Sequence, residues 1–255
     1  MPVIKNEIPI LEYDNSKHAV IDPDTSNDWT RLPEKAVIAF LGDMVDDFAA
    51  EHGFSLVNTF ETVVKDINVY VGEYNGEKVC LMQTLTGAPE ATALLDALSF
   101  YGVRKVIATG SCGVLDELPE NAFIIPKKAL RDEGTSYGYL PPSRFVGVSP
   151  AALAAIEKTF AEMSLPYVEC TTWTTDCFFR ETADMVKYRR EEGCSVVEME
   201  CAGMCACAQF RGIDFGEILF TADTLADTSL YDARDFGRGS RGKALLLALD
   251  VLKNF

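Results

Sequence analysis

Histidine is scarce and paired cysteines are absent. The 255-residue chain has two histidines, His18 and His52, and its eight cysteines form no Cys-x-x-Cys pair. That excludes the usual zinc frameworks. Cys201 and Cys205 share a helical spacing, but so few histidines leave no ligand set, and no metal site or other cofactor is expected. The cysteines lie mostly in apolar strands and small-residue helices, as free thiols do in a reducing compartment.

Basic residues are also few. Lys and Arg total 23 against 39 Asp and Glu, for a net charge of −16. Binding to a nucleic-acid backbone relies on clustered cations, so a nucleic-acid partner is excluded and any nucleotide-like ligand is small. Nothing in the chain is apolar over the length needed to span a membrane. The start, "MPVIKNEIPILEYDNSK", lacks a basic segment followed by an apolar block, so a cytoplasmic location is expected. There is no Ser/Gly/Pro-rich linker, repeat or low-complexity tract. A single domain over 36–255, preceded by an arm over 1–35, is the simplest division.

What is present is an alternation of short apolar runs and helical stretches. "AVIAFL" (36–41) stops at Gly42, and "DMVDDFAAEHG" follows as a short helix closed by Gly53. Strands are expected over 63–71, in "KVCLMQT", "RKVIATG", "AFIIP", "YVECTTW" and "GEILFTAD". Helices are expected over 89–101, 150–163, 181–192 and 239–252, two of them with Pro at the first turn. This order predicts an α/β domain around a mostly parallel sheet.

One stretch breaks the pattern. "SVVEMECAGMCACAQF" (195–210) sets Glu198 and Glu200 in an otherwise apolar or small run, although glutamate is seldom buried unless partnered. Either both acids serve the N-terminal turn of a helix, or one grips a polar ligand at the end of a sheet strand. Four strand-to-loop junctions add ligand-binding chemistry: Gly42-Asp43, Thr86-Gly87, the run from Thr109 to Gly113, and Ala222-Asp223. Glycines there let backbone N–H groups approach a ligand, and Ser111 and Thr86 supply hydroxyls.

Together, "ATGSCGVL" (108–115), "RDEGTSYGYLPP" (131–142), "TTDCFF" (174–179), "VVEMECAGM" (196–204) and "TAD" (221–223) resemble the nucleoside phosphorylase/uridine phosphorylase superfamily, in its order and spacing. The resemblance implies a three-layer α/β/α fold with a twisted, partly barrel-like mixed sheet. It also implies cleavage of the N-glycosidic bond of a nucleoside, with phosphate as the default co-substrate and purines favoured over uridine. By the same resemblance, Met199, Glu200 and Thr86 contact the ribose, Phe178, Val197, Glu198, Cys112 and Gly113 surround the base, and Asp223 is the acid facing the leaving base. Glu200 would accept from the ribose hydroxyls and stabilise the positive charge that develops on the sugar. Gly42 and Ser111 remain to hold phosphate, and a homo-oligomer, dimer or hexamer, is implied.

The chain departs from this family where phosphate binds. The positions expected to carry arginine hold Asp46 and Ala108, and Lys65 is the one basic residue near a third. The uracil-clamping Gln-x-Arg is replaced by Thr182 and Asp184. Hydrolysis, with Asp46 or Asp47 orienting water, is therefore the alternative to phosphorolysis, and a non-catalytic nucleoside-binding or storage protein is a third. His18 is a candidate to reach a neighbouring subunit's site.

Overall fold

A computed structural model describes residues 3–23 and 29–255. In chain order the elements are β1 (Lys35–Ala39), α1 (Met44–Glu51), β2 (Ser55–Phe60), β3 (Ile67–Tyr74), β4 (Glu77–Gln83), α2 (Ala88–Phe100) and β5 (Lys105–Val114). These are followed by β6 (Phe123–Asp132), α3 (Ser136–Tyr139), β7 (Phe145–Gly147), α4 (Pro150–Glu162) and β8 (Val168–Thr175). The last are α5 (Ala183–Glu191), β9 (Cys194–Glu198), α6 (Cys201–Arg211), β10 (Asp214–Thr224) and α7 (Arg241–Val251).

Local chemistry explains most boundaries. Gly53 and Gly102 adopt positive φ of 72° and 112° just past α1 and α2, a conformation that costs glycine little. Ser149 caps α4 ahead of Pro150, and Thr182 caps α5 through the Met185 amide. The strand expected over 63–71 begins later, at Ile67. Val63 and Val64 are exposed beside a turn in which the Thr62 hydroxyl accepts from the Val64 and Lys65 amides. β2 escapes sequence reading because Asn58 is its one buried residue, so it carries no apolar alternation.

The sheet runs β10-β6-β8-β9-β5-β1-β4-β3-β2, and β10 also pairs β5. That extra pairing closes β10, β6, β8, β9 and β5 into a barrel. Cys112, Ile124, Cys170, Val196 and Leu219, one from each barrel strand, pack together. The expectation of a mostly parallel sheet is corrected here. β1–β4, β1–β5, β5–β10, β6–β8 and β8–β9 are parallel, whereas β10–β6, β2–β3, β3–β4, β5–β9 and β6–β7 are antiparallel. Hairpins and barrel closure both require reversals that a strand-helix alternation does not announce.

One core joins the sheet to α2 and α6, the other to α1, α4 and α7, giving three layers. The small residues of α6 have a purpose there. A Cβ on Gly203 would lie 2.8 Å from Thr92 Oγ1 and 3.0 Å from Ala88 Cβ on α2, so close helix contact demands the missing side chain. The arm rests on α6, with Lys17 Nζ donating to the Phe210 carbonyl at 2.6 Å and Arg211 donating to the Lys17 carbonyl at 2.6 Å.

Candidate active site

Strands β1, β4, β5 and β10 bring their C-terminal ends to one side of the molecule. β1 pairs in parallel with β4 and β5, and β5 with β10. Gly42, Thr86-Gly87, Ser111 and Asp223 lie at or beyond those ends. Antiparallel pairing of β9 with β5 sets Val197 opposite Gly113, which brings the Glu198-Met199-Glu200 turn to the same place.

A cavity of about 710 Å³ opens there. Ser111, Cys112 and Gly113 of β5 form one wall, Val197, Glu198 and Met199 another, and Asp223 and Leu225 a third. Phe178, Phe179, Tyr231 and Phe236 also line it, all four substantially exposed. Of the residues expected around the base, Phe178, Val197, Glu198, Cys112 and Gly113 all line this cavity, as do Met199, Ser111 and Asp223. Glu200, Thr86, Gly42, Asp46 and Asp47 are not among its lining residues.

The two glutamates of the 195–210 stretch divide their work. Glu198 is held by its own frame. Its Oε1 accepts from the Thr172 and Thr174 hydroxyls at 3.1 and 2.5 Å, and its Oε2 from the Glu200 and Cys201 amides at 2.7 and 2.6 Å. It therefore caps α6 and ties β9 to β8, the helix-terminus role. Glu200 is buried, taking the Gly87 amide on Oε1 at 2.5 Å and the Met199 amide on Oε2 at 3.2 Å. Burial, then repulsion from Glu198, pushes its pKa up to about 8. Gly87, at φ 106°, is the amide that positions it, and Thr86 is exposed next to that glycine.

Asp223 is partly buried, and desolvation raises its pKa above the usual carboxylate value, while a Tyr231 hydrogen bond and the Arg234 charge oppose the shift. Arg234 stands behind the wall, its guanidinium donating to the Leu118 carbonyl at 2.9 Å and the Ala222 carbonyl at 3.4 Å. A carboxyl in that balance can share a proton with a leaving group.

Sequence reading missed Glu181. It lines the cavity beside Phe178 and Phe179, and burial together with the Asp223 charge raises its pKa to about 7. Among the described residues no donor or cation pairs with its carboxyl. The sequence analysis set it only at the start of the helix expected over 181–192, which begins at Ala183; the adjoining phenylalanine pair was the available signal.

The acids proposed for water activation sit elsewhere. Asp46 Oδ1 accepts from Tyr70 Oη at 2.7 Å and from Asn68 Nδ2 at 3.5 Å, and Asp47 is exposed on the first turn of α1. Lys65 is exposed in the turn before β3 and does not line the cavity. His18 is exposed and pairs with Asp22 of its own arm at 3.1 Å. Cys201 and Cys205 place their sulfurs 3.9 Å apart, both buried.

The phosphorylase superfamily profile matches residues 34–253. A DeoD-type purine nucleoside phosphorylase of Bacillus cereus is 27% identical over 180 residues, covering 64% of this chain and 74% of that protein. Among solved structures, the uridine phosphorylase of Vibrio fischeri superposes with a TM-score of 0.76 at 22% identity, covering 94% of this chain and 97% of that one. The AMP nucleosidase of Bacteroides thetaiotaomicron gives 0.72 at 23% identity, covering 87% and 88%. By its sequence and its fold, this chain belongs to the phosphorylase superfamily.

Proposed function

We propose that this chain cleaves the N-glycosidic bond of nucleosides and passes the ribosyl group to water rather than to phosphate. The observation that carries the choice of acceptor is that the two positions where the family resemblance leads one to expect arginine hold Asp46, which is hydrogen-bonded to Tyr70 and Asn68, and Ala108. Each arginine missing from a phosphate site forfeits a charge-assisted contact of roughly 1.5–3 kcal/mol. At Ala108, where the family resemblance leads one to expect an arginine, the neighbouring strand supplies buried Glu217. A buried carboxyl gives a phosphate no attraction, and an approaching anion further disfavours its ionised form.

The remaining parts suit glycosidic cleavage. Glu200, fixed by the Gly87 and Met199 amides, supplies an acceptor for sugar hydroxyls and negative charge for an oxocarbenium-like transition state. Asp223 faces the base and shares a proton with it as the bond breaks. Water then captures a cation electrophilic enough to need little activation. The relatives, named as a purine nucleoside phosphorylase, a uridine phosphorylase and an AMP nucleosidase, support glycosidic cleavage and leave the acceptor to the site.

The test is base release from inosine, adenosine and uridine as phosphate is titrated, with the sugar product identified. Free ribose at a phosphate-independent rate is the expected result. Ribose 1-phosphate with saturation below millimolar phosphate would restore phosphorolysis, and no release from any nucleoside would overturn the catalytic reading.

A further inference from the structure

A second cavity, of about 510 Å³, opens at the other end of the sheet. Its lining comes from residues 30–35 leading into β1, from Val57 of β2 and Val71 of β3, and from Glu77 and Lys78 at the start of β4. β1 and β4 run in parallel, beginning with Lys35 opposite Val79. These residues therefore mark the N-terminal ends of strands whose C-terminal ends face the candidate active site, and the two cavities share no lining residue.

The frame of this cavity is tied down on both sides. The β2–β3 register shifts between Leu56 and Asn58, which leaves Val57 without a partner on β3, a bulge that bends the strand beside the opening. Asn58, the one buried residue of β2, then holds the facing segment: its Oδ1 accepts from the Thr30 amide and its Nδ2 donates to the Thr30 carbonyl, both at 3.4 Å. Further along, the Leu32 amide donates to the Tyr101 carbonyl at 2.8 Å, and the Glu34 carbonyl accepts from the Arg104 and Lys105 amides at 2.8 and 3.0 Å. Walls fixed by such bonds need little ordering when a ligand enters.

Charge decides what would fill it. Of the cavity's ionic groups, Lys35 Nζ meets Glu77 at 3.1 Å and the Leu252 carbonyl at 2.8 Å, and Glu34 faces Lys105 at 3.8 Å. Arg31 and Lys78 meet no acid among the described residues, so one cavity carries two uncompensated cations on a chain of net charge −16. A guanidinium and an ammonium from separate segments suit the several oxygens of a dianionic phosphate, whereas a monocarboxylate would neutralise one of them. Leu32, Val57 and Val71 add apolar surface that a bare inorganic anion would leave uncovered, and the carboxylates of Glu34 and Glu77 are acceptors for ligand hydroxyls.

We propose that this cavity is a second binding site, for a small hydroxylated phosphomonoester of the sugar-phosphate class, with Arg31 and Lys78 holding the phosphate and Leu32, Val57 and Val71 the carbon body. It stands whichever acceptor the substrate cavity uses. Calorimetric titration of the full chain at low ionic strength compares glucose 6-phosphate with glucose and with inorganic phosphate. Glucose 6-phosphate is expected to bind with a Kd below about 1 mM, at least about tenfold more tightly than either of the others, and to weaken as salt is added. Arg31 and Lys78 are exposed, so the double variant Arg31→Gln, Lys78→Gln is expected to fold as the wild type does and to lose at least about tenfold in affinity. Val57→Glu, which sets an acid at the unpaired position of β2, is expected to lose as much while leaving both cations in place. No binding by the wild type up to about 10 mM, or an unchanged affinity in the folded variants, would overturn the proposal. Inorganic phosphate bound as tightly as glucose 6-phosphate would overturn the assignment of the ligand class.

Discussion

Glu217 of β10 lies directly beside Ala108 of β5 in their parallel register, and its Oε2 atom, fully buried, meets no hydrogen-bond donor. Burial, with the nearby charges of Glu198 and Glu200, holds its pKa well above the ordinary glutamate value. The folded chain therefore keeps a proton there that the unfolded chain gives up, so this group's contribution to stability declines as pH rises above about 4.3.

Glu217→Gln removes that linkage. The variant should unfold at nearly the wild-type denaturant midpoint at pH 4.5 and at a higher midpoint at pH 8, by at least about 1 kcal/mol. Urea titrations at the two pH values measure it. A variant less stable than wild type at pH 8 would mean that the carboxylate has a partner in solution.

Burial, then repulsion from Glu198, pushes the pKa of Glu200 up to about 8. If its charged form stabilises the ribosyl cation, kcat/KM climbs with pH through about 8 and levels above it. Glu200→Gln should lower turnover by roughly a hundredfold and abolish the climb. Rates from pH 6 to 9.5 decide; a flat wild-type profile would take the titration of Glu200 out of catalysis.

Glu198 holds together what Glu200 needs. Glu198→Ala leaves the Glu200 and Cys201 amides and the Thr172 and Thr174 hydroxyls without their acceptor, and a destabilisation of about 2–4 kcal/mol is expected. Glu200→Gln should cost far less. Equilibrium denaturation of the two variants side by side tests this division, and equal stabilities would contradict it.

If Asp223 is the acid that protonates the leaving base, a neutral base needs that proton. Asp223→Asn should reduce kcat for a neutral purine nucleoside by at least about a hundredfold while KM moves only a few-fold. Steady-state kinetics on inosine provide the measurement. A rise in KM at constant kcat would make Asp223 a binding group alone.

The order of elements follows from local chemistry legible in the sequence. Apolar runs mark β1, β4, β5 and β10, glycine at positive φ ends α1 and α2, and proline begins α4. The family-like segments also locate Met199, Asp223 and Ser111, because each lies at the end of a strand whose apolar run is easy to see. Closure of the barrel was legible through the family resemblance and not from the local pattern of residues. It depends on pairings such as Phe215 with Val106 and Val197 with Gly113, which join residues far apart in the chain and leave no mark on local periodicity. The fate of the acids was decided in the same way. Glu198 and Glu200 differ by two positions, yet one becomes a saturated cap and the other a buried carboxyl with a raised pKa, because Thr172, Thr174 and Gly87 arrive from other strands and loops. Glu181 gained its place where the short turn over Phe178–Arg180 brings it to the cavity. A carboxyl's charge depends on the donors and the solvent around it, and those are properties of the folded surroundings.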